Sequence, residues 1–240
     1  MRIAGIIPAR YASTRFPGKP LVDIGGKTMI RRVYEQALKA GSLSELIVAT
    51  DDERIFKEVE SFGGRVIMTS ANHQNGTERC AEVAAKLGAD VVINIQGDEP
   101  FIQPEQIDLL AAVFSKGDPT IQIATLIKEH VWDEELYHAA RIKVVVNKYL
   151  DALYFSRSLI PFLRDETKAG STIFYKHIGI YGFRKDVLPE LVKLPPSALE
   201  LAESLEQLRW LENGYKIKCA VTTLESASVD VPADLEGLRY

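Results

Sequence analysis

A loop near the start of the chain combines cations, hydroxyl side chains and a glycine. It follows the first apolar segment and contains Arg10, Ser13, Thr14, Arg15, Gly18 and Lys19. Guanidinium and ammonium groups bind phosphate oxygens, and glycine lets the backbone approach a ligand closely because it has no Cβ. The loop therefore indicates a cradle for a polyanion, with an ordinary solvated loop as the alternative. It matches neither the G-x-x-x-x-G-K-[ST] phosphate pattern nor the G-x-G-x-x-G dinucleotide pattern.

Acidic residues follow a later apolar segment, at Asp98 and Glu99 in the run I-N-I-Q-G-D-E-P. Carboxylate oxygens are the ligands that magnesium prefers, and magnesium binds phosphate oxygens and spreads their charge during phosphoryl transfer. A turn built by Gly97 and Asp98 ahead of Pro100 is the alternative. Asp230 is a further acidic candidate, although Asp-x-Pro before a helix is also a common capping arrangement.

Other polar residues give weaker signals. The predicted helix start at Gly76 directs Arg79 and a helix N-terminus at an anion, or is a plain capped helix start. His177 and Tyr181 lie four residues apart in a strand-like segment and therefore share one face. A single histidine in a strand is usually structural, so this pair by itself defines no chemistry.

Three more residues are candidates only in context. Arg157 ends a strand-like segment, and Glu203 and Gln207 lie within a helix predicted over 198–213. Residues four apart share a helix face, and polar residues on such a face are solvated by default. None of the three indicates a function without further evidence.

The order of the predicted elements indicates an α/β fold. In the first half, apolar strands alternate with amphipathic helices; the strands are predicted at 1–8, 46–50, 65–69, 90–96 and 121–126. Helices between strands produce a doubly wound, mostly parallel, Rossmann-like sheet with right-handed crossovers. Ligands bind such sheets at the carboxyl ends of the strands, where the cationic loop and Asp98 are predicted to lie.

The pattern changes beyond Trp132. Strand-like segments follow one another with little helix between them, at 142–146, 152–157 and 174–183. We expect these segments to form an antiparallel extension of the sheet. The aromatic residues of this region suit a dimer arm, or equally an ordinary core and surface. With 240 residues, the chain is predicted to be one domain over 1–240.

Composition limits the partners of the protein. The 29 basic and 33 acidic residues give a mildly acidic chain without a basic tail, so nucleic acid is not indicated as a partner. No apolar run reaches membrane-spanning length, and the first segment is too short for a signal peptide, so we expect a cytoplasmic protein. Cys80 and Cys219 have neither disulfide nor metal-ligand spacing and are expected to be small core residues.

Taken together, the motifs resemble a known family. They are I-I-P-A-R-Y-A-S-T-R-F-P-G-K-P-L, I-V-A-T-D, H-Q-N-G-T-E-R, N-I-Q-G-D-E-P, A-L-Y-F-S-R, H-I-G-I-Y-G-F-R, L-E-Q-L-R and V-D-V-P-A-D-L-E. The chain is similar to the 3-deoxy-manno-octulosonate (Kdo) cytidylyltransferases, in register from Ile3 to about Arg239. It departs from them at 137–143, where the family reads close to N-P-N-x-V-K.

This resemblance implies a reaction. CTP and Kdo would give CMP-Kdo and pyrophosphate, with magnesium, for lipopolysaccharide biosynthesis. The anomeric hydroxyl of the sugar would attack the α-phosphorus of CTP in line, and no residue is assigned as a general base. The resemblance also implies a nucleotidyltransferase sheet and a homodimer, with 140–183 as a dimerisation and sugar-binding extension.

The resemblance also implies roles for individual residues. The catalytic set is Arg10, Lys19 and Asp98. The nucleotide-binding set is Arg10, Ser13, Arg15, Lys19 and Arg79. The sugar-binding set is Gln96, Arg157, His177, Tyr181, Glu203 and Gln207, with Arg157 as the contact for the sugar carboxylate. The magnesium ligands are Asp98 and Asp230.

Other functions remain open from the sequence. The same reaction on an amino-substituted Kdo or on another acid sugar, such as sialic acid, is the nearest alternative. A dinucleotide-dependent oxidoreductase would require the glycine fingerprint that the chain lacks. A catalytically dead nucleotide-binding protein would keep the same fold, because fold does not fix function.

Overall fold

The structure is a computed structural model that describes residues 1–12, 16–115, 118–229 and 231–235, and only the backbone of residues 166 and 168. The strands are β1 (Ile3–Ala9), β2 (Asp23–Ile24), β3 (Lys27–Thr28), β4 (Glu45–Thr50), β5 (Val66–Met68), β6 (Val91–Asn94), β7 (Ile123–His130), β8 (Lys143–Val146), β9 (Ala152–Ser156), β10 (Phe174–Arg184) and β11 (Ile217–Thr222). The helices are α1 (Met29–Ala37), α2 (Glu53–Ser61), α3 (Gly76–Ala85), α4 (Pro104–Ser115), α5 (Leu188–Leu191), α6 (Ala198–Glu203) and α7 (Gln207–Glu212).

Local sequence explains where the first helices begin. The side chains of Thr28, Asp52 and Asn75 each accept a hydrogen bond from a backbone N–H in the first turn of α1, α2 and α3. These N–H groups have no partner inside the helix, so a capping side chain stabilises each helix start by about 1 kcal/mol. The predicted alternation of strands and helices in the first half is confirmed.

The large sheet has the order β11-β7-β10-β6-β1-β4-β5. β1 pairs in parallel with β4 and β6, β4 with β5, and β7 with β11, whereas β10 runs antiparallel to both β6 and β7. β8 pairs with β10, and β9 pairs with β8. The predicted fold class, a mostly parallel sheet with an antiparallel extension, is confirmed.

One part of the predicted extension lies in the middle of the sheet. Residues 174–183 belong to β10, which fills the position between β6 and β7, so only β8 and β9 extend from the sheet. Most residues of β10 are buried because both faces of the strand are covered in the sheet, and its length of 11 residues reaches from the sheet to the hairpin. Its aromatic residues are therefore mainly core residues.

Apolar side chains cover both faces of the sheet. Adjacent residues of β1 point to opposite sides, so Ile7 joins a core cluster with α1 and α4, whereas Ile6 joins a second cluster that contains Phe155 and Trp210. Cys80 and Cys219 are buried and unpaired, as predicted. None of the helices in the described part of the chain combines the length and apolar character needed to cross a membrane.

The helix predicted over 198–213 is broken. Ser204 has a left-handed backbone conformation with φ of 51°, which ends α6 before α7 begins at Gln207. The guanidinium of Arg157 donates hydrogen bonds to the freed carbonyl oxygens of Glu203 and Ser204, at 2.7 and 3.3 Å. A long-range contact thus replaces the helical hydrogen bonds at this turn. Glu203 and Gln207 consequently do not share a helix face.

After β11 the chain folds back over the loop that follows β6. The N–H of Val229 donates to the carbonyl oxygen of Asp98 at 2.9 Å, and the hydroxyl of Ser226 donates to Glu99 at 2.5 Å. The side chain of Gln106 donates to the carbonyl oxygen of Leu224 at 3.3 Å. We call residues 223–229 the return segment. Successive contacts along the return segment hold this segment against the edge of the sheet.

Glu225 adds an electrostatic anchor to the return segment. Its carboxylate pairs with Lys128 at 3.1 Å, with Arg141 at 3.6 Å and with Lys176. Lys128 and Lys176 are direct neighbours on β7 and β10, and two like charges in that position repel each other. Glu225 offsets this repulsion and joins the return segment to the extension through Arg141.

Glu99 makes the attachment of the return segment dependent on pH. Burial, together with the nearby charge of Asp98, raises the pKa of Glu99 to about 7 from its ordinary value of 4.5. The folded protein then holds this proton more tightly than the unfolded chain does. The stability from this group is present in full below pH 4.5 and is lost as the pH rises through 7.

We predict that Glu99→Gln removes part of the loss of stability between pH 5.5 and pH 8. The free energy of unfolding, measured with urea at both values, should differ less in the variant, by on the order of 2 kcal/mol. Glu129→Gln, at an exposed position of β7, is the control and should behave as the unmodified protein does. Equal pH dependence in all three proteins would contradict the burial of an ionisable Glu99.

Candidate active site

Two adjoining cavities open at the carboxyl edge of the sheet, where β1, β4 and β6 end. The first has a volume of about 560 Å³ and is lined by Pro8, Ala9, Arg10, Lys19, Pro20, His73, Gln74, Asn75, Gly76, Arg79, Gln96, Gly97, Asp98 and Ser204. The second has a volume of about 430 Å³ and is lined by Thr77, Asn94, Gln96, Asp98, Ile142, Arg157, His177, Gly179, Tyr181, Ser204, Leu205, Glu206, Gln207 and Ser228. Gln96, Asp98 and Ser204 line both cavities and form the wall between them.

The first cavity collects the described cations of the predicted nucleotide set. Arg10 and Lys19 come from the loop after β1, and Arg79 comes from the first turns of α3. Ser13 and Arg15, the other two members of the set, lie outside the described residues. The α3 N-terminus also faces this cavity, and such a terminus favours anions because its N–H groups lack helical partners.

Lys19 and Asp98 form an ion pair at the boundary of the two cavities. Their Nζ and Oδ2 atoms lie 2.8 Å apart, and the side chains are 15% and 31% exposed. The same ammonium group donates to the carbonyl oxygen of Val229 at 2.9 Å. Lys19 therefore joins the loops after β1 and β6 to the return segment, which the sequence did not indicate.

Arg79 lies deeper in the wall than its predicted role suggests. Its side chain is 3% exposed and pairs with Asp51 at 3.1 Å, and its guanidinium also donates to the hydroxyl of Thr69. Asp51 follows β4, so Arg79 links the ends of two elements. Its charge is already compensated by this carboxylate, and a role towards the nucleotide stays a prediction.

Close packing fixes the floor of the first cavity. A Cβ on Gly97 would lie 2.8 Å from the carbonyl oxygen of Pro8, and a Cβ on Gly76 would lie 3.1 Å from the Pro8 ring. Both distances are shorter than ordinary contacts, so a side chain at either position would push the strand ends apart. The glycines thus allow the loops after β1 and β6 and the start of α3 to meet.

The first cavity also contains polar residues that the sequence analysis did not select. His73 Nε2 lies 2.7 Å from a carboxylate oxygen of Glu82, and Gln74 and Asn75 complete this wall. All three residues belong to the H-Q-N-G-T-E-R motif, which was the available signal. Their types carry no chemistry in isolation, and only the fold shows that they face a cavity.

Gln96, Arg157, His177, Tyr181 and Gln207 of the predicted sugar-binding set line the second cavity. They come from the β6 loop, the end of β9, β10 and the start of α7. The structure brings these five residues together from distant parts of the chain.

Glu203 lies behind Arg157, outside both cavities. Its carboxylate accepts hydrogen bonds from the Ser156 hydroxyl at 2.6 Å and from the Arg157 N–H at 2.9 Å. The break at Ser204 turns Glu203 away from the cavity. The structure thus places Glu203 in contact with the backbone of Arg157 and outside the described lining of the cavities, and a role towards the sugar stays a prediction.

Glu206 occupies the cavity position that was expected of Glu203. It accepts a hydrogen bond from the hydroxyl of Thr77 at 2.8 Å, and burial raises the pKa of Glu206 to about 7. It adjoins Gln207 in the motif L-E-Q-L-R. In the uninterrupted helix predicted from the sequence, Glu203 shares a face with Gln207 and Glu206 does not. The sequence therefore gave no reason to select Glu206.

His177 is neutral in this environment. Burial lowers the pKa of His177 to about 3, and its Nε2 lies 2.9 Å from the hydroxyl of Thr125. Its ring lies 5.3 Å from that of Tyr181, which confirms that the two residues share a face of β10. A neutral imidazole can exchange hydrogen bonds with a ligand but cannot neutralise a carboxylate.

Arg157 is the cation of the second cavity. It donates from Nε to Glu203, from one terminal nitrogen to Ala139 at 3.0 Å, and from the other to Ser204. A guanidinium has five N–H donors, so one remains on each terminal nitrogen. Two donors on adjacent nitrogens of one planar guanidinium can form a bidentate pair with a carboxylate.

The described residues contain no group of three or more histidine, cysteine, aspartate or glutamate side chains that could hold a metal ion. Asp230 lies outside the described residues, directly after Val229. Asp98 stands at the wall shared by both cavities, and its Oδ1 accepts no hydrogen bond from the described residues. Magnesium commonly uses one or two carboxylates and completes its shell with water and phosphate oxygens, so the donors at this wall fit it.

Comparison with known proteins identifies the family. Residues 4–217 match the family model for cytidylyltransferases. The chain is 57% identical to the 3-deoxy-manno-octulosonate cytidylyltransferase of Bacteroides thetaiotaomicron, over 98% of this chain and 96% of that protein. It is 49% identical to the enzyme of the same name from Geobacter sulfurreducens, over 98% and 97% of the two chains.

Solved structures agree with this relationship. A structure of CMP:2-keto-3-deoxy-manno-octonic acid synthetase complexed with CTP has a TM-score of 0.92 and 46% identity, and the match covers 98% of this chain and 96% of that chain. A cytidylyltransferase from Leptospira borgpetersenii, at 17% identity and a TM-score of 0.61 over 92% and 76% of the two chains, shares the fold alone. The chain therefore belongs to the 3-deoxy-manno-octulosonate cytidylyltransferase family.

Proposed function

We propose that this protein is a magnesium-dependent enzyme that transfers CMP from CTP to 3-deoxy-manno-octulosonate and releases pyrophosphate. The observation that carries the proposal is the arrangement of two polar cavities that meet at Asp98. A transfer between two substrates requires each to have its own site and the reacting atoms to meet at a common wall. The CMP-sugar would serve lipopolysaccharide biosynthesis in the cytoplasm. Two unpaired cysteines are consistent with this compartment, because it keeps thiols reduced.

The first cavity is the proposed CTP site. Arg10 and Lys19 would offset the charge of the triphosphate, and the N-terminus of α3 adds further N–H donors. Lys19 would exchange part of its contact with Asp98 for phosphate oxygens. This exchange costs little, because the ammonium group remains hydrogen-bonded at each stage.

Magnesium is proposed at the shared wall, with Asp98 and Asp230 as its protein ligands. When bound there, the ion would neutralise phosphate charge and make the attacking sugar hydroxyl more acidic. Asp98 holds its position through its ion pair with Lys19 and the contact of its carbonyl oxygen with Val229. The return segment thus brings the residue before Asp230 next to Asp98.

The second cavity is the proposed site for the acid sugar. Arg157 would bind the sugar carboxylate with its two remaining terminal donors, because it is the permanent cation among the residues that line this cavity. Neutral His177 and Tyr181 and the amide of Gln207 would exchange hydrogen bonds with hydroxyl groups. Gln96 is held by a hydrogen bond of 2.9 Å to the Gly179 carbonyl oxygen.

We further propose a homodimer. Several large apolar side chains within 140–183 are exposed, including Tyr149 at 65%, Leu153 at 59% and Phe162 at 86%. Exposed aromatic and aliphatic groups concentrated in one region are typical of a protein interface. A second copy of the chain would cover them, in line with the dimer expected from the family resemblance.

A substrate panel tests the proposed reaction. Pyrophosphate release should be measured with each of the four nucleoside triphosphates against Kdo, an amino-substituted Kdo and sialic acid, with and without magnesium. We expect release with CTP and Kdo in the presence of magnesium. Preference for the amino-substituted sugar would correct the substrate, and no release with any pair would leave a nucleotide-binding protein without catalytic activity.

We predict that Lys19→Ala lowers turnover by about 100-fold or more, since a cation near the triphosphate stabilises charge in the transition state. The affinity for CTP, measured by calorimetry well below the melting temperature, should also fall. Because Lys19 holds Val229, the variant should lose about 1 kcal/mol of stability as well. Lys57→Ala, at an exposed pair with Glu53, is the control. If the variant loses stability but its affinity for CTP is unchanged, the role of Lys19 is purely structural.

We predict that Arg157→Lys weakens the apparent affinity for Kdo and leaves that for CTP unchanged. A lysine has no planar pair of donors and cannot replace the bonds to Ala139, Glu203 and Ser204 at the same time. Michaelis constants for both substrates give the answer. If both constants rise together, Arg157 acts only by supporting the turn at Ser204.

A further inference from the structure

The amide oxygen of Asn94 is buried at the wall of the second cavity. Asn94 ends β6, is 4% exposed and lines the second cavity. Its amide oxygen accepts no hydrogen bond from any described residue. Leaving a buried carbonyl unsatisfied costs about 1–3 kcal/mol. A polar residue with that cost, at the end of a strand whose other residues are apolar, requires an explanation.

A second buried polar group lies beside it. Tyr181 is the direct neighbour of Asn94 in the register between β10 and β6, and its hydroxyl interacts with Thr125 but forms no hydrogen bond of good geometry with any described residue. Tyr181 is 7% exposed and lines the same cavity. A buried amide oxygen that no described residue pairs with, next to a buried tyrosine hydroxyl at the same cavity surface, indicates a ligand that pairs with the amide.

Two uncharged polar side chains line this cavity together with Asn94 and Tyr181. His177 is neutral, and Thr77 donates its hydroxyl to Glu206. An amide offers one donor side and one acceptor side. A hydroxyl group can donate to the amide oxygen or accept from the amide nitrogen. A carboxylate only accepts hydrogen bonds, so it would be repelled by the amide oxygen. The surface therefore suits a hydroxyl of the sugar, and Arg157 remains for its carboxylate.

We propose that Asn94 is a specificity-determining residue that forms a hydrogen bond with a hydroxyl of the acid sugar. This inference rests on the proposed assignment of the second cavity to the sugar. Asn94 belongs to the strand rather than to a loop, so its position is fixed before the substrate binds. The bond formed on binding satisfies a group that was left unpaired, and a sugar without that hydroxyl leaves it unpaired.

Asn94→Leu tests the inference by separating function from stability. We expect the Michaelis constant for Kdo to rise by about tenfold or more. In the variant, the sugar hydroxyl is buried without its hydrogen-bond partner, and burying an unpaired polar group costs binding free energy. The constant for CTP should stay unchanged. The melting temperature should not fall, because the variant loses no protein hydrogen bond and removes an unsatisfied group. Asn94→Val provides the same test if the leucine variant does not fold.

Thr50→Val is the matched control. Thr50 also ends a parallel strand and is fully buried, but its hydroxyl accepts a hydrogen bond from the N–H of Asp52 at 3.2 Å. It lines neither cavity. This variant should lower the melting temperature and leave the Kdo constant unchanged, which is the opposite of the result for Asn94. A lower melting temperature with equal losses for CTP and Kdo in Asn94→Leu would overturn the inference.

Glu206→Gln separates this inference from the proposed function. If the Kdo constant rises in Glu206→Gln and not in Asn94→Leu, the cavity binds the sugar and the role of Asn94 is wrong. If neither variant changes it, the assignment of the cavity is wrong. Kdo analogues that each lack one hydroxyl then identify the contact. For the analogue that lacks the contacted hydroxyl, the Michaelis constants of Asn94→Leu and of the unmodified protein should be about equal, because neither protein can form the bond.

Discussion

The ion pair between Lys19 and Asp98 is the interaction on which the arrangement of the site depends. It connects the loops after β1 and β6, and the same ammonium group holds the carbonyl oxygen of Val229 in the return segment. Three separate parts of the chain are thus joined at one partly buried position. A partly buried pair is stronger than an exposed one because water screens it less. The contact therefore places a cation and a carboxylate at the wall between the cavities before any substrate is present.

The two cavities differ in how their charges are prepared. In the first, the cations are partly compensated, Lys19 by Asp98 and Arg79 by Asp51. Such pairs avoid the repulsion of uncompensated cations and can rearrange towards phosphate. In the second, burial lowers the pKa of His177 to about 3 and raises the pKa of Glu206 to about 7, so that the charged form of each side chain is disfavoured. This division suits a triphosphate on one side and a polyhydroxylated acid on the other.

The extension and the return segment stabilise the second cavity from outside. Glu225 pairs with cations from β7, β10 and the loop before β8, while Arg157 donates to the carbonyl oxygens of Ala139, Glu203 and Ser204. The loop at 137–143 departs from the family pattern, yet it contributes Arg141 to the first network and Ala139 to the second. Ile142 of the same loop lines the second cavity directly.

The sequence by itself determined the strands of the first half, the positions of the cationic loop and of Asp98 at the ends of strands, and the family. Apolar periodicity and motifs are local properties, so they can be read without the structure. It did not determine that β10 enters the sheet, that Ser204 breaks the helix, or that the second cavity is lined by Glu206 and not by Glu203. Each of these depends on contacts between residues far apart in the chain, such as Arg157 with Ser204. Only the tertiary structure decided them, because hydrogen bonds from distant groups override local helical and strand preferences.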